Sequence, residues 1–174
     1  MSNNTYGFDQ DAALLKDSAR KFFSEKLPVD KLHELVAKDP TLGREPLSNW
    51  SQELWREMID LGWSMVAIPE SAGGLGMPAV AVAGLMEECG RAAIPSPMLS
   101  TLAATYVLAA AEAMEPLADI CSGEAATLAI SGSRDAWDLA STEVTYSDGK
   151  LSGTSYYVQD VEKVQKILVS AHSN

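Results

Sequence analysis

Several groups of residues have types that could do chemistry. Gly73-Gly74-Leu75-Gly76 stands just ahead of Pro78, a residue suited to the first turn of a helix. A glycine-rich loop at a helix N-terminus can cradle an anion, because free N–H groups and the helix dipole face it together. The spacing here is not G-x-G-x-x-G, no parallel-strand context precedes it, and the Lys-Ser/Thr end of a P-loop is missing. Taken alone, the residues favour a plain turn. Glu87-Glu88 pairs two carboxylates, but adjacent helical residues point in different directions and form no acid/base dyad. A solvated face, or a salt bridge from one of them to Arg91, is the expected role. His33 and His172 stand apart from any Ser, Cys or ligand set, which supports neither a triad nor a metal site. Cys89 and Cys121 are far apart, with no CxxC or Cys/His cluster, and read as free thiols in a reducing compartment.

Mostly helical elements must position these groups. Asp9 to Leu27 puts Leu15, Ala19, Phe22 and Phe23 on one face, and Pro28 interrupts it. Val29 to Lys38 is a second helix, with Leu32, Leu35 and Val36 apolar; Asp39 to Gly43 has turn chemistry. A third begins at Ser48 as N-cap and carries Trp50, Leu54, Met58 and Leu61 as its core face, with Gly62 closing it. Trp55 falls off that stripe. Pro78 to Arg91 is rich in small residues and is expected to lie centrally. Pro95 and Pro97 break the chain before a helix over 98–113, and a short one spans 116–122. From Gly123 the period changes. Thr127–Ile130, Glu143–Tyr146, Leu151–Gln159 and Lys166–Ala171 read as strands, and Asp148-Gly149 as a hairpin turn. The fold class is therefore α+β: an N-terminal all-α helical domain (1–122) followed by an incomplete antiparallel β-domain (123–174). At most four strands would leave exposed edges, an expectation of further structure.

The balance of charge excludes one class of partner. With 13 basic and 24 acidic residues the net charge is −11, and a nucleic-acid partner needs a basic face instead. The first ten residues are polar and lack a signal-peptide pattern. Nowhere do about 18 apolar residues run uninterrupted, so no membrane span is expected and a cytoplasmic location follows.

In series, several runs resemble one family. Gly62 to Met77, containing Pro69-Glu70 and Gly73-Gly74-Leu75-Gly76, resembles the PE-x-x-GGLG signature of acyl-CoA dehydrogenases. Glu87-Glu88-Cys89-Gly90-Arg91 with Pro95-Ser96-Pro97 is similar to the EELGR…P-x-P run that follows in many members. Leu117 to Glu124 resembles the exit from the helical domain, and Leu151 to Asp160 the L-x-G-x-K-x-W/F-I-T/S-N strand. The matches come in family order and cover nearly the whole chain.

What the resemblance implies is a flavoenzyme that dehydrogenates an acyl-CoA thioester between Cα and Cβ, in fatty-acid or sterol side-chain catabolism. A carboxylate takes the α-proton, FAD accepts the hydride, and an electron-transferring flavoprotein takes the electrons. The family is oligomeric, with a helical domain, a middle β-domain and a C-terminal bundle, and FAD between the last two. By the same resemblance Ile130, Ser131, Tyr157, Val158 and Gln159 are the candidate cofactor-binding residues. Ser131 replaces a threonine hydroxyl, and Tyr157 stands at the Trp or Phe that packs on the flavin. The family's A-L-T-E-P-x-x-G-S-D run departs here to Ala129-Ile130-Ser131-Gly132-Ser133-Arg134-Asp135, without the E-P and G-S-D. Gln159 replaces a small hydroxyl. The catalytic glutamate of the family lies in its C-terminal bundle, so no residue here inherits that role, and these residues alone are expected to be inactive. The alternative is a non-catalytic, flavin-poor partner subunit of a heteromeric acyl-CoA dehydrogenase.

Overall fold

The computed structural model describes residues 7–37, 50–133 and 138–173. The expected turn at 39–43, the Ser48 cap, Arg134 and Asp135 lie outside them. Six helices come first: α1 (Gln10–Lys26), α2 (Val29–Ala37), α3 (Gln52–Asp60), α4 (Ala79–Arg91), α5 (Met98–Ala110) and α6 (Met114–Cys121). Five short strands follow: β1 (Ala126–Ala129), β2 (Thr145–Ser147), β3 (Lys150–Ser152), β4 (Lys166–Val169) and β5 (His172–Ser173).

Local chemistry explains the helix ends. The Asp9 carboxylate accepts from the Ala12 N–H at 2.9 Å and starts α1. Ser51 does the same for Leu54 N–H at 3.2 Å and is the N-cap of α3. Gly62, at φ 78°, follows the Leu61 cap as the sequence expects, and its N–H reaches the Ile59 carbonyl at 2.8 Å.

The face of α3 keeps Met58 and Trp50 against the core as expected and differs at its other positions. Trp55 and Met58 are buried and Ile59 packs beside them, whereas Leu61 is 47% exposed and Leu54 only half-buried. The reason lies in the Trp55 indole, whose Nε1 donates to the Gly123 carbonyl at 3.0 Å. That bond turns the helix so that Trp55, Met58 and Ile59, spaced i, i+3, i+4, meet the core. There Phe22, Phe23 and Trp63 form an edge-to-face cluster, with Phe22–Trp63 centroids 5.1 Å apart. α4 is central, as its small residues require: Ala81, Gly84 and Leu85 are buried, and α1 packs along it.

The helical part hands over to the sheet through α5. Thr101 Oγ1 donates to the Ala126 carbonyl at 3.3 Å and accepts from the Ala126 N–H at 3.1 Å, pinning the start of β1 on the helix. Strand pairing is mixed. The β2–β3 hairpin is antiparallel, turned by Asp148 (φ 51°) and Gly149 (φ 75°) as the sequence predicts. β1 pairs with β4 in parallel, in register Ala126 with Lys166, and β2 pairs with β5 in parallel. The expected strand 151–159 is cut short after Ser152. Gly153 (φ 137°) passes against the Glu143 carbonyl, where a Cβ would stand 2.1 Å away, and Tyr157 (φ 53°) and Asp160 (φ 53°) cannot continue a ladder.

Candidate functional site

The glycine loop is structural. The N–H groups of Gly73, Gly74, Leu75, Gly76 and Met77 donate to carbonyls of Glu70, Pro69, Met65, Ile68 and Val66, at 2.8 to 3.1 Å. None remains to hold an anion. Gly74 has to be glycine because a Cβ there would sit 2.1 Å from the Ile68 carbonyl oxygen. The plain-turn reading of the residues holds.

The two glutamates part company. Glu87 lies on the surface with Lys16. Glu88 is fully buried and takes hydrogen bonds from Arg20 at 2.7 Å and from Arg91. The expected pairing with Arg91 is present at Glu88, and Glu87 is the solvated member of the pair. The Arg20 hydrogen bond holds the carboxyl below its ordinary range against the opposing effect of burial, with Arg91 adding to it. This clamp ties α1 to α4. Burial pushes the Cys89 thiol up to about 12, which leaves it protonated and unreactive.

Four of the five candidate cofactor residues line one cavity. It measures about 380 Å³ and lies between α5, β1 and the segment 155–160. Ile130, Ser131, Tyr157 and Gln159 face it together with Leu99, Ser100 and Ala103 of α5 and Thr127 and Leu128 of β1. Val158 does not line it. Tyr157 is 70% exposed at its rim, in a left-handed backbone that an aromatic residue rarely adopts.

The serine and threonine hydroxyls around this cavity are already paired. Ser131 Oγ donates to the Tyr156 carbonyl at 2.7 Å, Thr127 Oγ1 to the Gln159 carbonyl at 2.7 Å, and Ser100 Oγ to Asp160 Oδ2 at 2.8 Å. These hydroxyl protons are spent inward. Among the described residues that line it none is charged, so this part of the wall is neutral and largely apolar. It can receive a flat ring, and among the described residues that line it there is no carboxylate, histidine, lysine or thiol. A second cavity of about 330 Å³, between α3 and Gly123–Gln165, contains none of the expected residues. Sequence reasoning missed the α5 side of the wall. α5 is apolar on nearly every side and gives no periodic signal for Leu99, Ser100 or Ala103.

Comparison with known proteins places this arrangement of helices followed by a small sheet. Residues 9–124 match the family described as acyl-CoA dehydrogenase, N-terminal domain. The chain belongs to the acyl-CoA dehydrogenase family. It is 33% identical over 89 residues to acyl-CoA dehydrogenase IpdE2 of Mycolicibacterium smegmatis, covering 51% of this chain and 27% of that one. It is 37% identical over 79 residues to the protein of that name from Mycobacterium tuberculosis, covering 44% and 25%. Among solved structures, a variant of the Tcur3481-Tcur3483 steroid ACAD superposes with TM-score 0.78 and 30% identity, over 94% of this chain and 45% of that one. The ChsE4-ChsE5 complex from Mycobacterium tuberculosis shares the fold, with TM-score 0.75, 22% identity and coverage of 95% and 45%. The chain thus spans about a quarter of the length of these curated relatives and under half of these solved chains. Among the described residues, no helix is long and apolar enough to cross a membrane.

Proposed function

We propose that these residues supply the helical domain and one flavin-facing wall of an FAD-dependent enzyme that dehydrogenates an acyl-CoA thioester at Cα and Cβ. The reading divides the chain at Gly123, with 1–122 as the helical domain and 123–174 as part of the β-domain. Its main support is the cavity that brings Ile130, Ser131, Tyr157 and Gln159 together on the wall of α5 and β1. Bound there, FAD would supply the hydride acceptor. The apolar residues Leu99, Ala103, Leu128 and Ile130 suit the flat face of its ring system, and Tyr157, largely exposed and tilted against the Tyr156 ring at 6.4 Å, stands at its edge. The diphosphate finds no match among the described residues, none of which brings a Lys or Arg to the cavity. This wall would orient a ring and exclude water, while the groups that hold the cofactor's diphosphate, and the catalytic base, would come from other parts of the assembled enzyme. Electrons would leave to an electron-transferring flavoprotein. A steroid-derived acyl group is the favoured substrate class, because the 30% identical structural relative is a steroid ACAD.

A second reading has its own support. That relative is named for two chains, which favours a partner subunit in a heteromeric enzyme. One preparation separates the two: the native assembly, isolated through a tag on this chain. The assembly should absorb near 450 nm and reduce a dye with acyl-CoA thioesters, while the chain alone turns nothing over. Tyr157→Ala should bleach the assembly if this chain holds the ring. Full flavin content after that change would assign this chain to the partner role, and a colourless, inactive assembly would remove the function altogether.

A further inference from the structure

The segment 155–160 crosses the cavity rim between two anchors. At its start, the Tyr156 N–H and Ser155 Oγ both donate to the Ser131 carbonyl, at 3.0 and 3.1 Å, and Ser131 Oγ returns a bond to the Tyr156 carbonyl at 2.7 Å. At its end, Thr127 Oγ1 holds the Gln159 carbonyl at 2.7 Å and Ser100 Oγ holds Asp160 Oδ2 at 2.8 Å. The other anchors belong to β1 and its continuation, whereas the Ser100–Asp160 bond ties the segment to α5. Tyr157 lies between the anchors, left-handed and 70% exposed. A non-glycine residue stays in that region only when its surroundings hold it there.

Ser100 is 4% exposed and the Asp160 side chain 12%, so water competes poorly for their bond. Asp160 is itself at φ 53°, which Asp and Asn tolerate better than most residues. Its second carboxylate oxygen takes Lys163 Nζ at 2.7 Å. We propose that the Ser100–Asp160 hydrogen bond is a latch that fixes Tyr157 over the cavity, making both of them positioning residues for a flat ring bound there. The purpose of the latch rests on the flavin reading given above; its geometry does not. The latch also explains how an aromatic side chain can project into solvent without collapsing onto the apolar wall beneath it. A ring then meets a preformed face and spends little on ordering it.

Backbone order parameters of the 174-residue chain test this without any flavin. Tyr157 should be rigid in the unaltered protein, near about 0.85, and fall below about 0.6 in Ser100→Ala. Asp160→Asn keeps an acceptor for the Ser100 hydroxyl and should stay rigid, as should Lys163→Met, which removes only the ion pair. Added FAD should shift the amides of Ile130 and Tyr157 in the unaltered protein, and that of Tyr157 should cease to respond in Ser100→Ala. Rigid Tyr157 in Ser100→Ala, or mobile Tyr157 in Asp160→Asn, would overturn the latch. An order-parameter result as expected, with no FAD response at these amides, would uphold the latch and overturn its role in ring binding.

Discussion

At the residue scale, Glu88 is the buried charge whose loss stability should register. Its carboxylate is buried between two half-exposed arginines, 53% and 49% accessible, which soften the loss when it is removed. Glu88→Ala should cost about 2 kcal/mol, between the values for surface and buried pairs, and lower Tm by roughly 4–8 °C. Its pKa is depressed on folding, so the unfolded chain binds the proton more tightly. The contribution is therefore full above the ordinary carboxylate range and is lost as pH falls through and below it. Melting curves between neutral pH and about pH 3 should converge for the two proteins; a constant gap would place the stabilisation elsewhere. The Glu88–Arg91 pairing was legible as an i, i+3 spacing. Arg20 was not, because it comes from 68 residues earlier in the chain. Tyr157 was legible only through family resemblance. Its left-handed backbone depends on hydroxyls from Ser131 and Ser100 that no local pattern connects to it.

Elements repeat that lesson. Helix positions, the Gly62 stop, the Asp148-Gly149 hairpin and the central place of α4 followed from local rules. The orientation of α3 did not. Its apolar residues allow two overlapping stripes, and a single hydrogen bond from Trp55 to Gly123, across the molecule, selects one. Met58→Ala should accordingly cost about 2–5 kcal/mol, while Leu61→Ala, at a half-exposed site, should stay within about 0.5 kcal/mol. Chemical denaturation of both variants decides the matter, and equal losses would restore the stripe through Leu61. Strand direction was equally hidden. Alternation marks a strand but not its partner, so the parallel pairing of β1 with β4 depends on a connection that no short window reveals. The glycine run was ambiguous for the opposite reason: its composition suits an anion cradle, and only the destinations of its N–H groups reveal a closed turn.

For the whole molecule, the helical domain of an acyl-CoA dehydrogenase carries a neutral wall beside the first strands of its sheet. One aromatic stacking pair contributes only about 0.5–1.5 kcal/mol beyond burial, against several kcal/mol lost on immobilising a ligand. A ring should therefore dock here selectively yet weakly. The family, the α-to-β order and four of the nine residues that line the cavity were legible because motifs run in series along the chain. The α5 side of the wall was not, since a uniformly apolar helix names no face. The most direct test is an FAD titration of the 174-residue chain followed by amide chemical shifts. Shifts confined to Ile130, Ser131, Tyr157, Gln159 and the neighbouring α5 residues, with a Kd no tighter than about 10 μM, are the predicted result. Shifts at Trp55, Gly123 and Gln165 instead, or none at these residues with FAD in large excess, would contradict it.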